Sequence, residues 1–326
     1  MIGVIAGTGS YAPVFVLENQ DITKFMDTSD AWIRERTGIE RRHIAKGEKT
    51  TSMAAKAAKT ALEDASMRPE ELDMIMVSSV SSDVLVPCTA CEVQREIGAQ
   101  NAFCFDLNAA CSGFLLAYCT ACAYIESGIC KTILVIGCES LSNVVDWRDR
   151  GTAILFGDGA GAAVVRAGQG ERYLPVLHSD GALGTALTLC GQNHHHFFKD
   201  CEANDEEDNF YIQMNGKEIF KFAVRKIPQV VEEVLLKNNM TRSDIKYYIL
   251  HQANKRIIES IAKKMKEPIG KFPMNLQEYG NTSSASIPLL LHELNEKGML
   301  QSGDHIVMAG FGGGLTWGAV ILTWQC

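Results

Sequence analysis

Strand-like and helical stretches alternate along this chain in two runs that share one grammar, and that repetition limits the folds open to it. In the first run, strand-like residues 2–6 lead to an Ala-rich helix at 52–64. A strand at 74–78, a helix near 90–97 and a strand at 103–107 follow, then a helix after residue 111 and strands at 132–136 and 161–166. The second run opens with strand-like 173–179 and a helix at 216–237. A strand at 247–250, helices at 256–265 and 287–297, and strands at 305–309 and 317–323 complete it. Strands interleaved with helices make parallel or mixed sheets covered on both faces. The turn-rich break Ala167-Gly168-Gln169-Gly170-Glu171 separates the runs. The expected fold class is therefore α/β: two structurally duplicated halves, 1–170 and 171–326, in a layered arrangement with the active site at their junction.

The chain of 326 residues has length enough for a large core, and its apolar fraction of 46% is that of a soluble globular protein. Its apolar runs are broken by Gly, Cys, Ser or charged residues, and the first residues carry no basic stretch of the kind that opens a secretory signal. We expect a cytoplasmic protein with no membrane association. The eleven cysteines show no small-scaffold disulfide spacing, and several, including the Cys119/Cys122 pair, sit in apolar runs as core residues. A net charge of −8 argues against nucleic-acid binding. Basic residues nevertheless cluster at Arg34, Arg36, Arg41 and Arg42, at Arg148 and Arg150, and at Lys255, Arg256, Lys263, Lys264 and Lys266. Such patches on an acidic protein suit a phosphorylated ligand or an acidic partner.

The apolar period changes at Cys111. Residues Ala102, Phe103, Cys104, Phe105 and Leu107 read as a short strand, whereas Phe114, Leu115, Tyr118, Cys119, Cys122 and Ile125 recur at helical spacing. The cysteine thus lies on a strand-to-helix turn, where Ser112-Gly113 would admit a ligand from outside. A thiol at a helix N-terminus feels the positive end of the macrodipole, which is expected to favour the thiolate.

Two further polar positions sit at element ends. His251 closes the apolar strand Tyr247-Tyr248-Ile249-Leu250, and Asn281 lies in the turn Gly280-Asn281-Thr282-Ser283 before a helix. A nucleophile and two neutral donors for a developing oxyanion suit thioester chemistry. The turn Gly310-Phe311-Gly312-Gly313-Gly314 brings bare main chain close to a ligand, and its N–H groups could join that of Cys111 in an oxyanion hole. No Gly spacing opens a helix in the manner of a nucleotide-binding loop. The stretch 190–209, with His194-His195-His196 and Asp205-Glu206-Glu207-Asp208, reads as a surface loop, and no metal site is expected.

These motifs together resemble the β-ketoacyl-acyl-carrier-protein synthase III family, condensing enzymes with the thiolase fold. The resemblance rests on Asn108-Ala109-Ala110-Cys111-Ser112-Gly113-Phe114, on His251-Gln252-Ala253-Asn254, and on Tyr279-Gly280-Asn281-Thr282-Ser283-Ser284-Ala285-Ser286-Ile287-Pro288. The stretch Gly310-Phe311-Gly312-Gly313-Gly314-Leu315-Thr316-Trp317-Gly318 matches too, as do Thr28 to Ile39, Asp149-Arg150-Gly151-Thr152 and Phe156 to Ala162.

The resemblance implies that Cys111 attacks an acyl-CoA, with the amides of Cys111 and Gly313 as oxyanion hole. His251 and Asn281 would then stabilise the enolate formed as malonyl-carrier protein loses CO2. It implies a CoA and phosphopantetheine channel lined by Thr28, Trp32, Arg36, Arg150, Gly151, Ala253 and Asn254. Lys221, Arg256, Lys263 and Lys264 would dock the acyl carrier protein. Acyl-CoA and malonyl-carrier protein enter as substrates, with no cofactor, and the family is homodimeric. Val86, where many members carry Phe, would lie at the partner's acyl pocket, its smaller side chain admitting longer or branched primers.

Other condensing types fit less well. A hydroxymethylglutaryl-CoA synthase needs a glutamate base where residues 81–87 offer only Asp83, and a thiolase needs a second cysteine where this chain has Gly312-Gly313-Gly314. A chain-extending synthase uses two histidines. The alternative within the resemblance is a starter-unit synthase or acyl transferase of a polyketide-like pathway.

Overall fold

The computed structural model describes residues 1–190 and 210–326. The first run of strands is β1 (Ile2–Tyr11), β2 (Met74–Ser78), β3 (Phe103–Leu107), β4 (Thr132–Ser140) and β5 (Asp158–Gly168), which form a five-stranded sheet in the order β1-β5-β4-β2-β3. The second run is β6 (Val176–Ser179), β7 (Ile245–Leu250), β8 (His305–Gly312) and β9 (Thr316–Thr323), a four-stranded sheet in the order β7-β8-β9-β6.

The two sheets share one plan. In the first, β2 and β4 are parallel, while β5 runs antiparallel to both β4 and β1. In the second, β7 and β8 are parallel, and β9 runs antiparallel to both β8 and β6. Strand for strand, β2-β4-β5-β1 corresponds to β7-β8-β9-β6. The first sheet adds an edge strand, β3, parallel to β2, and that extra strand leads to Cys111.

Helices complete the layers: α1 (Asp30–Thr37), α2 (Thr50–Asp64), α3 (Thr89–Ile97), α4 (Gly113–Glu126), α5 (Gly216–Lys237), α6 (Lys255–Met265) and α7 (Ser286–Glu296). Both α4 and α7 touch strands of both sheets, so they form the middle layer. Their composition suits that place: α4 buries Phe114, Leu115, Ala117, Tyr118, Ala121 and Ile125, and α7 buries Ile287, Leu289, Leu290, Leu291 and Leu294. A helix this apolar needs cover on several sides. One core cluster accordingly joins Met74, Met76, Ile133 and Val135 of the first sheet to Ile249, Ile306, Met308 and Val320 of the second.

Strand β1 runs past the expected 2–6 to Tyr11. A Cβ on Gly9 would stand 2.2 Å from the Ala57 carbonyl oxygen, so the residue lets the Ala-rich α2 lie directly on the strand. Helix α5 keeps its expected bounds with Pro228 buried inside it. Among the described residues, no helix is long and apolar enough to cross a membrane.

Candidate active site

Cys111 lies on a tight turn, Ala110–Ser112, between β3 and α4. The preceding Ala110 is left-handed at φ 46°, and Ser283, which faces Cys111 from the other half, is left-handed at φ 49°. Each such non-glycine residue costs on the order of 1–3 kcal/mol, and persists only where the surroundings enforce it. Here the enforcement comes from both sheets. The Ser112 hydroxyl donates to the Thr316 carbonyl at 3.1 Å, and an added Cβ on Gly312 would meet the Cys111 nitrogen at 2.7 Å. On the opposite side, a Cβ on Gly113 would fall 1.7 Å from Ser78 Oγ. Gly113 therefore admits the first sheet from within, not a ligand from outside as its sequence context suggested.

Cys111 is 8% exposed. Burial pushes the thiol up to about 12, the Glu139 carboxylate adds to that, and a hydrogen bond with the Ser283 hydroxyl acts in the opposite direction. The expectation of a resting thiolate is corrected by magnitude. A helix N-terminus contributes at most about 2 kcal/mol, or roughly 1.5 pKa units, and desolvation of the charge outweighs it.

His251 follows β7, and its amide donates to Ala309 at 2.9 Å, continuing the parallel pairing. Its Nδ1 is 2.7 Å from Ser286 Oγ at the start of α7, and the same hydroxyl accepts the Gln252 amide at 3.3 Å. With the hydroxyl proton donated to Nδ1, a neutral ring carries its own proton on Nε2; the two roles exchange in the other tautomer. Burial pushes His251 down to about 3, so the ring is neutral across ordinary pH.

Asn281 is pinned by its backbone: its amide donates to Leu155 at 2.8 Å, and its carbonyl accepts Gly157 at 3.1 Å. Its Oδ1 accepts the Ser283 amide at 2.9 Å, which fixes the amide flip and leaves Nδ2 to donate.

Cys111, His251 and Asn281 line one cavity, together with Arg36, Gly151, Ala253 and Asn254. Cys111 and Gly313 also line a second, largely apolar cavity with Val80, Leu85, Leu141, Leu187 and Ile212. The thiol therefore stands where a polar approach meets an apolar recess. Val86 lines neither, being 88% exposed.

Helix α1 gives Arg36 to the polar cavity, whereas Thr28, Trp32 and Arg150 are not among its lining residues. Two guanidinium groups approach the Trp32 ring, Arg150 at 4.9 Å and Arg36 at 5.8 Å from its centroid. Arg150 also donates to the Asp27 carbonyl at 2.9 Å. The Thr28 hydroxyl is buried with no partner among the described residues. Asn254 caps α6 through the Arg256 amide at 2.8 Å and donates to the Arg36 carbonyl at 3.1 Å, tying α6 to α1.

Not all of the basic cluster near residue 40 can meet a ligand. Arg42 is fully buried, donating to Asn19 Oδ1 at 2.8 Å and to the Ile154 carbonyl at 2.6 Å, and Arg34 pairs with Asp30 and Glu40. Lys221, Arg256, Lys263 and Lys264 are exposed on the packed helices α5 and α6, outside both cavities. Lys217 and Arg225, which the sequence reading passed over, continue the Lys221 row at four-residue intervals and are also exposed. Of the stretch 190–209, residues 191–209, with the histidines, lie outside the described residues. Among those described, no group of three or more His, Cys, Asp or Glu is placed to hold a metal ion.

Glu139 also escaped the sequence reading. It is fully buried at the end of β4 and accepts from Ser81 Oγ (2.6 Å), the Val80 amide (3.0 Å), Ser79 Oγ (3.3 Å) and Ser284 Oγ (2.8 Å). The Ser283 hydroxyl bonds both this carboxyl and the Cys111 thiol. Burial raises the carboxyl above its usual range. Its one local signal was an acidic residue at the end of an otherwise apolar strand.

Comparison with known proteins places these features in context. The family described as 3-oxoacyl-[acyl-carrier-protein (ACP)] synthase III matches residues 105–181, and its C-terminal part matches 235–324. The β-ketoacyl-[acyl-carrier-protein] synthase III of Clostridium acetobutylicum is 48% identical over 321 residues, 98% of each chain. That of Clostridium tetani is 47% identical, again over 98% of each. The crystal structure of the Aquifex aeolicus 3-oxoacyl-[acyl-carrier-protein] synthase III superposes with a TM-score of 0.91 at 44% identity, covering 99% of this chain and 100% of that one. The priming β-ketosynthase of the R1128 polyketide pathway superposes at 0.92 with 33% identity, covering 99% of this chain and 96% of that one.

Proposed function

This chain belongs to the 3-oxoacyl-acyl-carrier-protein synthase III family, and on that premise we propose that Cys111, His251 and Asn281 are its catalytic residues. The reaction is the condensation of an acyl-CoA primer with malonyl-acyl-carrier protein, giving 3-oxoacyl-carrier protein, CoA and CO2 in fatty-acid synthesis. Curated relatives at 47–48% identity carry the synthase III name, so the polyketide-like starter role is not favoured.

In our reading, Cys111 Sγ attacks the primer thioester while its proton passes to the departing CoA sulfur. The amides of Cys111 and Gly313 hold the tetrahedral oxygen. The malonyl thioester then enters the same cavity and presents its carbonyl to His251 Nε2–H and Asn281 Nδ2. Loss of CO2 leaves an enolate that those two donors stabilise, and its carbon attacks acyl-Cys111 and displaces the sulfur as a thiolate, which takes a proton from water.

One observation carries this assignment: the histidine facing the cavity is held near 3 and is therefore no base. Decarboxylation generates a carbanion without proton abstraction, so two neutral donors suffice. A condensation begun by deprotonation would need a stronger base here.

We further propose that Trp32, Arg36, Arg150, Thr28, Gly151, Ala253 and Asn254 hold the CoA and phosphopantetheine arm, the guanidinium groups meeting its phosphates. Lys221, Arg256, Lys263 and Lys264 would dock the acidic carrier. The enzyme would act as a cytoplasmic homodimer, with exposed Val86 reaching the partner's acyl cavity. Residues 1–170 would supply the nucleophile and 171–326 the two donors. The chemistry balances with its two substrates and one proton from water, and calls for no cofactor.

The test incubates the protein with malonyl-carrier protein and acetyl-, isobutyryl-, butyryl- or hexanoyl-CoA, and reads the carrier by intact mass. A 3-oxoacyl-carrier product that is absent with Cys111→Ala supports the reading. Acylated Cys111 with no elongated carrier would overturn it in favour of an acyl transferase.

A further inference from the structure

The chain holds a second Cys-x-x-Cys, Cys88-Thr89-Ala90-Cys91, at the first turn of α3. Cys88 is the N-cap residue, with extended backbone (φ −66°, ψ 154°), and Cys91 lies one turn on. Their sulfur atoms are 3.4 Å apart, and both residues are half-buried. The Cys119/Cys122 pair has the same spacing inside α4, but there Cys122 points its thiol at the Gly3 carbonyl, 3.9 Å away.

The pair stands beside the acyl cavity. Leu85, three residues before Cys88, lines the apolar recess next to Cys111. Upstream of Leu85, the Asp83 carboxylate accepts the first amides of α2, Thr50 and Thr51, each at 2.9 Å. Residues 84–88 are thus pinned at Asp83 on one side and run into the start of α3 on the other.

We propose that Cys88 and Cys91 form a redox-responsive dithiol, oxidised by low-molecular-weight disulfides to an intramolecular disulfide that stiffens the 84–88 segment and changes which primers the acyl cavity accepts. The step balances. One thiolate attacks the small disulfide and expels one thiolate of it; the second cysteine then displaces the other. Two protein thiols and one small disulfide become one protein disulfide and two small thiols. Closing 3.4 Å to a bond of about 2.05 Å takes a side-chain rotation at the N-cap, where the backbone is already extended.

The surroundings set the speed. Asp106 on β3 accepts the Thr89 amide at 2.7 Å and the Ala90 amide at 2.8 Å, so a carboxylate already occupies the positive end of α3. Burial, with Asp106 adding to it, holds the Cys88 thiol above its usual range. Oxidation is accordingly slow at neutral pH and faster in base, as suits a response to sustained oxidation rather than a turnover step.

The dithiol itself stands apart from the proposed function; only its effect on primer use rests on that reading. The experiment therefore has two arms. In the first, Cys111→Ala protein is incubated with oxidised glutathione, alkylated, and examined by intact mass and peptide mapping. Loss of two hydrogens, mapped to a Cys88–Cys91 link and replaced by a glutathione adduct in an added Cys88→Ser/Cys104→Ser variant (the Cys104 thiol also bonds Cys91), is expected. No link even at alkaline pH, or a link between Cys119 and Cys122 instead, would overturn the proposal.

In the second arm, protein with Cys111 intact is assayed with the primer panel before and after oxidation, beside a Cys88→Ser/Cys91→Ser variant treated alike. A several-fold change in the hexanoyl-to-acetyl rate ratio, reversed by dithiothreitol and missing from the double variant, is expected. An unchanged ratio in a fully linked protein would overturn the coupling to the cavity. Absence of condensation in the reduced protein would instead count against the proposed function, leaving the first arm intact.

Discussion

The Ser286 hydroxyl lies 2.7 Å from His251 Nδ1 while accepting the Gln252 amide, and by donating to Nδ1 it would hold the ring proton on Nε2, the tautomer the proposed mechanism needs. In Ser286→Ala that control is lost, and a share of the rings turn an acceptor to the cavity. A hydrogen bond of this kind is worth about 0.5–1.5 kcal/mol, so decarboxylation of malonyl-carrier protein should fall roughly 2- to 10-fold. Acylation of Cys111, followed by mass, should stay near wild type. A loss confined to acylation would contradict the role given to His251.

His251 also sets a dependence of stability on pH. The folded ring is held at about 3, against 6.5 for an ordinary histidine, so below 6.5 the unfolded chain binds a proton that the folded one refuses. Stability from this group is whole above 6.5 and is lost as pH falls towards 3. Urea midpoints measured at pH 7.5, 6 and 5 should decline more steeply in wild type than in His251→Gln. Parallel declines would mean that the ring takes up a proton while folded.

The buried Cys111 thiol predicts an alkylation profile without an early plateau. Held up to about 12, its reaction with iodoacetamide should climb on the order of tenfold per pH unit from 7 to 10. In Glu139→Gln the nearby negative charge is gone and the rate at a given pH should rise. A plateau near neutrality in wild type would show a resting thiolate.

Glu139 gathers donors from two segments that meet only in the folded chain. Glu139→Ala leaves the Ser79 and Ser81 hydroxyls and the Val80 amide without their acceptor, while Ser284 keeps the Ser78 carbonyl, and should cost about 3 kcal/mol or more in denaturant unfolding. Glu139→Gln, which keeps one acceptor oxygen, should cost less. Equal losses would mean that the carboxyl acts by volume alone.

Arg256 sits on the exposed face of α6, its guanidinium 5.8 Å from the Phe220 ring. At low ionic strength Arg256→Glu should raise KM for malonyl-carrier protein more than KM for acyl-CoA, with the gap narrowing as salt is added. Equal effects on both substrates would place the carrier elsewhere.

Much of this was legible along the chain. The strands at 74–78 and 103–107 and the helix at 216–237 have the bounds that their apolar periods require. The change of period at Cys111 marks the strand-to-helix turn, and His251 and Asn281 sit at element ends where their backbones are fixed. Each of these signals is carried by residues within a few positions of one another, because hydrophobic period and turn chemistry are short-range properties.

What the tertiary structure decided depends on groups from distant segments. Burial of Cys111, as Ser78 and Gly312 close around its turn, pushes the thiol up against the opposing Ser283 hydrogen bond. The His251 tautomer comes from a serine on α7, and Arg42 is a buried brace for the Ile154 carbonyl rather than a phosphate ligand. Glu139 looks like one acid at a strand end until serines from two other segments converge on it. Charge state and hydrogen-bond pairing follow from burial and from which donors arrive, and both are settled only when the two sheets close on the helices between them.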